Sequence, residues 1–483
     1  MHDICILYAR DDRQRAEMLV TALDGLGWAV WWDKEIHTGN WTSHVDEAVR
    51  DSRCIIPVWT QASINPDRLV INETKHAKDL SKVILPVQLD DVPLPILFNT
   101  LHTEQLIGWN GSISEKSFAD LFNSLIHVLG QPSKRWNGTR PGNITFANKS
   151  IDIPCFVRSV SSYETQLKPD AALEALRLIP TDEAVLVSAY DLHVSDSSNF
   201  AENSKERDFL IKALADMKAR GSLVIIDSGN YEASRNKETT WNRDNYLKSI
   251  DGVPRSFVFS FDNLYPSHDI DTHVAEILNG IKISNGELSL PIVHAPQGKK
   301  GRQYELLPQL FFEVANKCNS PIIAVPEREL GDGILERAHT VRKIRMALNK
   351  LQFYQPIHLL GTGNPISLAV YAGAGADFFD GLEWCRTVVD RNTGLLFHHQ
   401  QYDFFRHQTK SMARFDFVRD NSENDKINYM LRMALHNLDF MHDWMAELRD
   451  SIRNNTVGEM LAANLPKDVY KEIGKAVSEI FKS

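Results

Sequence analysis

Residues 4–32, ICILYARDDRQRAEMLVTALDGLGWAVWW, decide the fold of the first part of the chain. The apolar runs at the two ends of this stretch are typical of buried strands, and the residues between them have helical spacing that ends at Gly27. Outward from it, the apolar runs 54–59 and 83–89 continue the alternation, and residues 117–130 close it with a helical pattern. Strands that alternate with helices predict a parallel sheet with helices on both faces.

A different pattern of apolar runs and helical stretches begins near residue 149. Short apolar runs bounded by turn residues alternate with helical stretches such as residues 206–221. These units predict a closed (β/α)8 barrel, with a doubly wound open sheet as the alternative. Residues 427–452 have the pattern of a long amphipathic helix or helix pair. The strand candidates are AVLVSAY at 184–190, SLVIID at 222–227, RSFVFSF at 255–261, LPIVHA at 290–295, PIIAV at 321–325 and PIHLLG at 356–361.

The two patterns are separated by GQPSKRWNGTRPGN, residues 130–143, which is rich in Gly, Pro, Asn and basic residues and has no apolar period. Such a composition is typical of a linker. The sequence therefore predicts a first domain at residues 1–130, a linker at 131–148 and a second domain at 149–483 that ends in helices.

Composition limits the classes of function. The chain has 53 basic and 63 acidic residues and a formal charge of −10, which argues against broad attraction to phosphate backbones but leaves a local basic patch open. Its opening lacks a signal-peptide pattern, and charged residues interrupt every apolar run before membrane-spanning length. The five cysteines are scattered singly, as suits a reducing compartment. We therefore expect a cytoplasmic protein with no membrane partner.

Four ordered blocks of the first domain carry a family resemblance. They are ICILYARDD at 4–12, WWDKEIHTGNW at 31–41, VDEAVRDSRCIIPVWT at 45–60 and VILPVQLDDVPLP at 83–95. The part of the chain that contains them resembles a Toll/interleukin-1 receptor (TIR) domain of the NAD-cleaving bacterial type. The resemblance implies a flavodoxin-like fold with a parallel sheet.

The resemblance implies that this domain cleaves the bond between nicotinamide and ribose, with NAD⁺ as a substrate rather than a prosthetic group. It places the catalytic glutamate at Glu47, on the helix after the family's flexible loop. Nicotinamide leaves without an acid because it already carries positive charge, while a fixed carboxylate stabilises the cationic ribose carbon. Taken alone, Glu47 is by default a solvated charge on an amphipathic helix, and it is the resemblance that favours the catalytic role. The adjacent Asp46 points about 100° away, so only one of the two faces a cleft.

Five further residues are expected to bind NAD⁺: Tyr8, Arg10, Asp11, Asp33 and Trp41. The first three follow the first strand, where open parallel sheets bind ligands, and Arg10 suits a phosphate or sugar contact. Trp41 fits stacking on a ring of the ligand and fits a core position equally well. Tyr8 alone is more often a core residue, and Asp33 alone is often a turn cap.

Self-assembly is the expected partnership of the first domain, because in this family the flexible loop of one copy often completes the cleft of its neighbour. Some TIR domains are adaptors that associate and do no chemistry, and this class stays open.

Four ordered blocks of the second domain carry another resemblance. They are SIDIPCFVRSVSSYETQLKPD at 150–170, IIDSGNYE at 225–232, FSFDN at 259–263 and HLLGTGNPISLAVYAGAGADFFDGLEWCR at 358–386. This domain resembles tRNA-guanine transglycosylases, barrel enzymes that exchange a guanine in tRNA for a deazaguanine base. The resemblance implies a TIM (β/α)8 barrel.

Carried over from that resemblance, Asp380 is the nucleophile that attacks the ribose carbon, Asp227 is its proton-handling partner and Asp262 binds the edge of the base. Carboxylates at the ends of different strands match the way barrels assemble sites, although each aspartate alone is a common helix cap. Glu327 and His294 fall at further base-binding positions, and Arg386 suits a phosphate.

The chain departs from the transglycosylase pattern. Asn230 and Glu232 stand where the family has glycine and glutamine, and His294 begins the stretch that replaces its QGG. No cysteine follows Cys385, so a thiolate-rich zinc site cannot form. We therefore expect no zinc and no prosthetic group, with apolar packing of residues 434–452 in place of the metal.

Three functions follow. The first is an effector, in prokaryotic antiphage defence, whose TIR domain cleaves NAD⁺ and whose barrel senses a base, nucleotide or nucleic acid. The second is an enzyme whose barrel exchanges a base in RNA or DNA, with the TIR domain as an assembly module. The third is a signalling scaffold without chemistry. The retained Glu47 and the missing zinc cluster favour the first.

Overall fold

The computed structural model describes residues 2–33, 41–65, 69–109, 111, 116–130, 140–146, 149–163, 165–179, 184–193, 200–282, 289–299, 301–318, 320–351, 353–471, 474 and 481. They divide into two compact units, the first comprising most of the chain up to Arg140 and the second most of it from Ile151 onward. No helix in this described part is long and apolar enough to cross a membrane.

The first unit contains short strands and four helices within its described residues. The strands are β1 (His2–Leu7), β2 (Val30–Trp31), β3 (Ser52–Trp59), β4 (Val83–Ile84), β5 (Val87–Gln88) and β6 (Glu104–Gln105), and the helices are α1 (Arg13–Gly25), α2 (Trp41–Asp51), α3 (Leu69–Asp79) and α4 (Lys116–Leu129).

The strands of this unit form one parallel sheet in the order β2-β1-β3-β5-β6, with β4 paired to β3. The predicted parallel sheet is thus confirmed. The apolar run 83–89, predicted as one strand, is two short strands. Pro86 stands between them and has no N–H to donate to a neighbouring strand.

Helices cover both faces of this sheet. On one face, α1 and α4 pack against β1 and β3 through residues such as Leu19 and Phe122. On the other, α2 and α3 contribute Val49 and Val70 to a second apolar cluster. Burial on both faces explains why β3 is apolar almost throughout.

The second unit alternates strands and helices, and a two-stranded ribbon, β7 (Asn143–Phe146) and β8 (Lys149–Asp152), precedes it. Its strands are β9 (Cys155–Val160), β10 (Ala184–Ser188), β11 (Leu223–Asp227), β12 (Phe257–Val258), β13 (Gln297–Gly298), β14 (Gly301–Arg302), β15 (Ile323–Pro326), β16 (Ile357–Leu360), β17 (Phe378–Gly381), β18 (Thr387–Val389) and β19 (Leu396–His398). Its helices are α5 (Pro169–Leu178), α6 (Phe200–Ala219), α7 (Asn230–Arg235), α8 (Arg243–Ile250), α9 (Ile270–Gly280), α10 (Leu307–Cys318), α11 (Gly333–Leu348), α12 (Pro365–Ala374), α13 (Glu383–Arg386), α14 (Phe405–Met412), α15 (Asp416–Asp420), α16 (Tyr429–Asn454) and α17 (Val457–Asn464).

Seven strands of the second unit form a curled parallel sheet in the order β12-β11-β10-β9-β17-β16-β15. Two isolated parallel bridges, Phe259 to Leu290 and Ile292 to Ala324, connect one further segment to both edges of this sheet. The joined edges favour the barrel over the open sheet, since an open sheet keeps two free edges.

Local sequence explains how the chain turns from β16 into α12. Asn364 caps the helix by accepting the backbone N–H groups of Ile366 and Ser367, and Pro365 occupies the first helical position. Gly375 ends the helix with φ 116°, a conformation that disfavours side chains. The chain is thereby returned to β17.

The C-terminal helix α16 confirms the long helix predicted at residues 427–452. The expected apolar packing in place of zinc is only part of what holds it, because buried polar groups pack there as well. Asp439 accepts hydrogen bonds from Arg391 at 2.7 Å and from the backbone N–H groups of Arg414 at 3.1 Å and Phe415 at 2.9 Å. His436 lies 2.8 Å from the carbonyl oxygen of Val389. Apolar pattern alone could not reveal this network.

We expect Asp439→Ala to lower the free energy of unfolding by about 3–5 kcal/mol, because it removes the buried carboxylate that pairs with the buried Arg391 guanidinium. Asp443→Ala is the matched control, since Asp443 contacts the same arginine but has 42% of its side chain exposed. It should cost less than about 1 kcal/mol. Urea unfolding measures the free energy of unfolding of both variants. An equal decrease in the two would show that the buried Arg391–Asp439 pair stabilises the protein no more than the exposed contact does.

Candidate functional site

A cavity of about 250 Å³ opens at the carboxyl ends of the strands in the second unit. Most of its lining residues lie at the ends of β9, β11, β15, β16 and β17 or in the segments that follow these strands and β12. The structure brings together there all six residues that the sequence predicted for this unit: Asp227, Asp262, His294, Glu327, Asp380 and Arg386.

Asp380 is buried, and both of its carboxylate oxygens are held. Ser159 donates a hydrogen bond to Oδ2 at 2.8 Å. His358 Nε2 lies 2.9 Å from Oδ1, and the backbone N–H of Gly361 is 3.3 Å from the same atom. Hydrogen bonds of this kind fix a carboxylate in position.

Asp227 has the opposite environment. Burial raises its pKa well above the usual range, and the charges of Glu232, Asp262 and Asp380 raise it further. Burial and the neighbouring charges thus favour the protonated form of Asp227, and a protonated carboxyl can donate a hydrogen bond, which a charged carboxylate cannot. The hydrogen-bonded carboxylate of Asp380 and a carboxyl group that favours its protonated form thus line one cavity.

Asp262, His294 and Glu329 form a buried charged cluster. His294 Nε2 lies 2.6 Å from Asp262 Oδ2, and its Nδ1 lies 3.0 Å from Glu329 Oε1. Burial opposes the charged ring, but the two carboxylates outweigh it and raise the pKa of His294 to about 9. Burial likewise opposes the charge of Asp262, and its hydrogen bond to His294 still brings the pKa of Asp262 below its usual value. The cluster is an imidazolium between two carboxylates.

The other oxygen of Asp262 accepts a hydrogen bond from Asn230 Nδ2 at 2.8 Å. Asn230 is one of the residues that depart from the transglycosylase pattern, and here it positions the predicted base-binding carboxylate. Glu327 is anchored in a similar way, because its Oε1 lies 2.7 Å from both Tyr371 Oη and Arg337 Nη1.

Two glutamates belong to this site although the sequence did not identify them as site residues. Glu329 supplies half of the charge that holds His294, and no motif marks it. Glu232 is buried in the cavity wall, where its Oε1 accepts a hydrogen bond from Ser161 at 2.6 Å. Its Oε2 has no partner among the residues that the structure describes. The sequence could have identified Glu232, because it stands where the transglycosylase pattern has a glutamine.

In the first unit, Tyr8 and Asp33 meet at the carboxyl edge of the sheet. The Tyr8 hydroxyl donates a hydrogen bond to the Asp33 carbonyl oxygen at 2.9 Å, and its ring lies 5.9 Å from that of Trp32. Burial raises the pKa of Tyr8 to about 12, with the Asp33 charge adding to it, so the phenol stays neutral. Arg10 and Asp11 are exposed in the short 3-10 helix that follows β1.

Trp41 is the first residue of α2. Its side chain and the loop residues 34–40 lie outside the described part of the chain, so its predicted stacking role stays a prediction.

Glu47 is exposed on α2. Val45, Ala48 and Val49 are buried and mark the face of α2 that packs on the sheet. At about 100° per residue, Glu47 points to the opposite, solvent side of the helix. It also lies only four residues before the end of α2, where the chain enters the amino end of β3. The structure thus does not bring Glu47 to the edge occupied by Tyr8 and Asp33.

The neighbouring Asp46 serves to join two helices. Its carboxylate is bound to Arg50 of the same helix at 3.0 Å and to His76 of α3 at 2.5 Å. The hydrogen bond to Arg50, and then that to His76, lowers the pKa of Asp46.

A different glutamate, Glu73, lies closer to the sheet. It is half-buried near the start of α3, which begins on the carboxyl side of β3, and it flanks the buried Val70 and Thr74. Burial raises the pKa of the Cys5 thiol, and the negative charge of Glu73 raises it further. Glu73 therefore lies near β1. In the sequence, the spacing of the apolar positions on α3 was the pattern that could have identified Glu73 as a residue on the sheet side of this helix.

Comparison with known families adds to this geometry. Residues 4–122 match the family model described as TIR domain. The first unit is a TIR domain. No curated protein matches the chain.

The TIR domain family includes NAD-cleaving enzymes, and TIR domains commonly self-associate. The matched residues include β2 to β6 in full and β1 from Ile4 onward. In the TIR domain and in the second unit alike, the described residues contain no group of three or more side chains suited to hold a metal ion.

The cluster around His294 predicts a pH dependence of stability. The folded pKa of about 9 exceeds the unfolded value near 6.5, so the stabilisation is complete below about pH 6.5 and is lost as the pH rises through about 9. We expect His294→Gln to remove this loss, when urea unfolding of both proteins is compared at pH 6 and pH 9.5.

The control is His339→Gln, which changes an exposed histidine of α11 and should retain the wild-type pH dependence. Equal pH profiles for wild type and His294→Gln would show that His294 is not held charged.

Proposed function

We propose that the protein is a TIR-domain NAD⁺ glycohydrolase, an effector of prokaryotic antiphage defence whose second unit is a regulatory module that binds a base. The match of residues 4–122 to the TIR domain family carries this proposal, because that family includes NAD-cleaving enzymes. The defence role extends it by analogy with bacterial TIR fusions. NAD⁺ is the substrate, and no prosthetic group is required.

The chemistry requires a carboxylate that faces the ribose of NAD⁺. As nicotinamide departs, positive charge develops on the ribose carbon, and a fixed negative charge nearby lowers the barrier. The family resemblance pointed to Glu47, which faces solvent. Glu73 meets the physical requirement better, because it is half-buried and lies on the sheet side of its helix, near β1. We propose Glu73 as the catalytic carboxylate and keep Glu47 as the alternative.

Tyr8, Arg10, Asp11, Asp33 and Trp41 are proposed to bind NAD⁺. Tyr8 and Asp33 are already joined by a hydrogen bond, and the exposed Arg10 offers a cation for the pyrophosphate.

We expect Glu73→Gln to slow nicotinamide release from NAD⁺ by roughly 100-fold or more, because it removes the charge at nearly constant volume. Glu47→Gln should keep near-normal turnover, and Asp46→Asn is the control for the charge of α2. Chromatographic detection of nicotinamide, with circular dichroism to verify folding, measures all three.

Loss of turnover in folded Glu47→Gln alone would return the catalytic role to Glu47. Turnover that survives both glutamine variants would refute the catalytic proposal for this domain.

The cavity of the second unit supports base binding. The charged Asp262 accepts hydrogen bonds, and the protonated Asp227 donates one, so the cavity complements a base edge that carries both donors and acceptors. We propose His294 and Glu327 as further groups of this base site. We propose that a base bound at this site favours the conformation or assembly of the TIR domain that cleaves NAD⁺.

A second function is favoured by the geometry of Asp380 and Asp227. In base exchange, Asp380 would attack the ribose carbon and form a C–O bond as the bond from carbon to the base nitrogen breaks. Asp227 would give its proton to the departing base, and the incoming base would reverse both steps. Incorporation of labelled guanine into RNA or DNA that requires Asp380 would make this transglycosylase the main function. A scaffold without chemistry requires both sites to be inactive.

A further inference from the structure

We propose that Arg235 and Arg328, held against the ring of Tyr231, form an anion subsite in the wall of this cavity. The subsite binds the phosphate of a nucleoside phosphate whose base occupies the carboxylate-lined part. The identity of the base portion rests on the proposed base-binding function, whereas the anion subsite rests on the arginines themselves.

Both arginines pack on one aromatic ring. The guanidinium carbon of Arg235 lies 5.2 Å from the ring centroid of Tyr231, and that of Arg328 lies 5.1 Å from it. Arg235 ends α7 after β11, and Arg328 belongs to a short 3-10 helix after β15. All three side chains line the cavity. A cation–π contact with the ring attracts each guanidinium without using its N–H groups, which can still donate hydrogen bonds to a ligand.

Within the described residues, no carboxylate is paired with either of these two arginines. Across the part of the chain that the structure describes, neither Arg235 nor Arg328 makes an ion pair or a hydrogen bond. Two like charges beside the same ring repel one another, so an anion close to both guanidinium groups would lower the free energy of the site. The site is therefore complementary to a ligand that carries negative charge.

Neighbouring arginines with a structural role behave differently. Arg302 contacts Glu329 at 3.3 Å, and Arg337 contacts Glu327 at 2.7 Å. Each of these neutralises a carboxylate that helps to build the cavity. Arg302 and Arg337 therefore have a structural role in the wall, whereas the two arginines beside Tyr231 can bind a ligand.

The ligand must satisfy both parts of the cavity. Asp227 and Asp262 suit the donors and acceptors of a nucleobase, while Arg235 and Arg328 suit a phosphate, and Arg386 adds a third guanidinium to the lining. A nucleoside phosphate carries both groups on one ribose. The phosphate comes either from a free nucleotide or from the phosphodiester of a strand.

The test is calorimetric titration of the full-length protein with guanosine, guanosine 5′-monophosphate, inorganic phosphate and a short single-stranded RNA that contains one guanine. The variant is Arg235→Gln/Arg328→Gln. The matched control is Arg220→Gln/Arg243→Gln, which changes two exposed arginines that do not line the cavity.

We expect wild type to bind guanosine monophosphate at least about tenfold more tightly than guanosine. The Arg235→Gln/Arg328→Gln protein should lose this difference and keep its affinity for guanosine, and the control should keep both. Tighter binding of the RNA than of the nucleotide would identify the phosphodiester as the source of the phosphate.

Equal affinity of wild type for guanosine and its monophosphate, or a preference that survives the double substitution, would overturn the subsite while leaving base binding intact. Phosphate binding that depends on the two arginines, without any binding of guanosine, would support the subsite and refute the base-binding function. Failure of both guanosine monophosphate and phosphate to bind would also overturn the subsite.

Discussion

The second unit depends on how its buried carboxylates are neutralised. Carboxylates are costly to bury as charges, so each one needs a proton, a cation or hydrogen-bond donors. Asp227 favours its protonated form, and Asp262 and Glu329 both contact the charged His294. Asp380 accepts hydrogen bonds at both of its oxygens. These solutions place neighbouring carboxyl groups in different environments, which is the arrangement that acid and base roles in one cavity require.

Sequence could predict the elements of this site better than its connections. Asp227, Asp262 and Asp380 each end or follow an apolar run, and parallel strands bring such positions to one edge, so their meeting was predictable. Glu329 was not, because its role depends on where the turn after β15 places it against His294. Likewise, the hydrophobic period of α16 predicted the helix but not the polar network around Asp439, which arises from backbone groups of distant segments.

The TIR domain shows the same division. Alternating apolar runs were sufficient to predict its parallel sheet. The interruption between β4 and β5 at Pro86 is explained by the missing N–H of proline. The choice between Glu47 and Glu73 depends on which side of a helix faces the sheet. The buried positions of α2 and α3 decide that orientation, and a resemblance of sequence blocks does not.

The proposed function requires that occupancy of the base site and self-association act on the same reaction. A ligand shifts an assembly equilibrium only if it binds the assembled form more tightly, by about 1.4 kcal/mol for each tenfold change in population ratio. The direct measurement is nicotinamide release from NAD⁺ by the full-length protein over a wide range of protein concentration, with and without guanosine monophosphate. The proposal predicts that turnover per chain is low in dilute protein and rises with concentration or with the nucleotide. Full turnover that is independent of both would contradict a regulatory role for the second unit, and no turnover under any condition would contradict NAD⁺ cleavage itself.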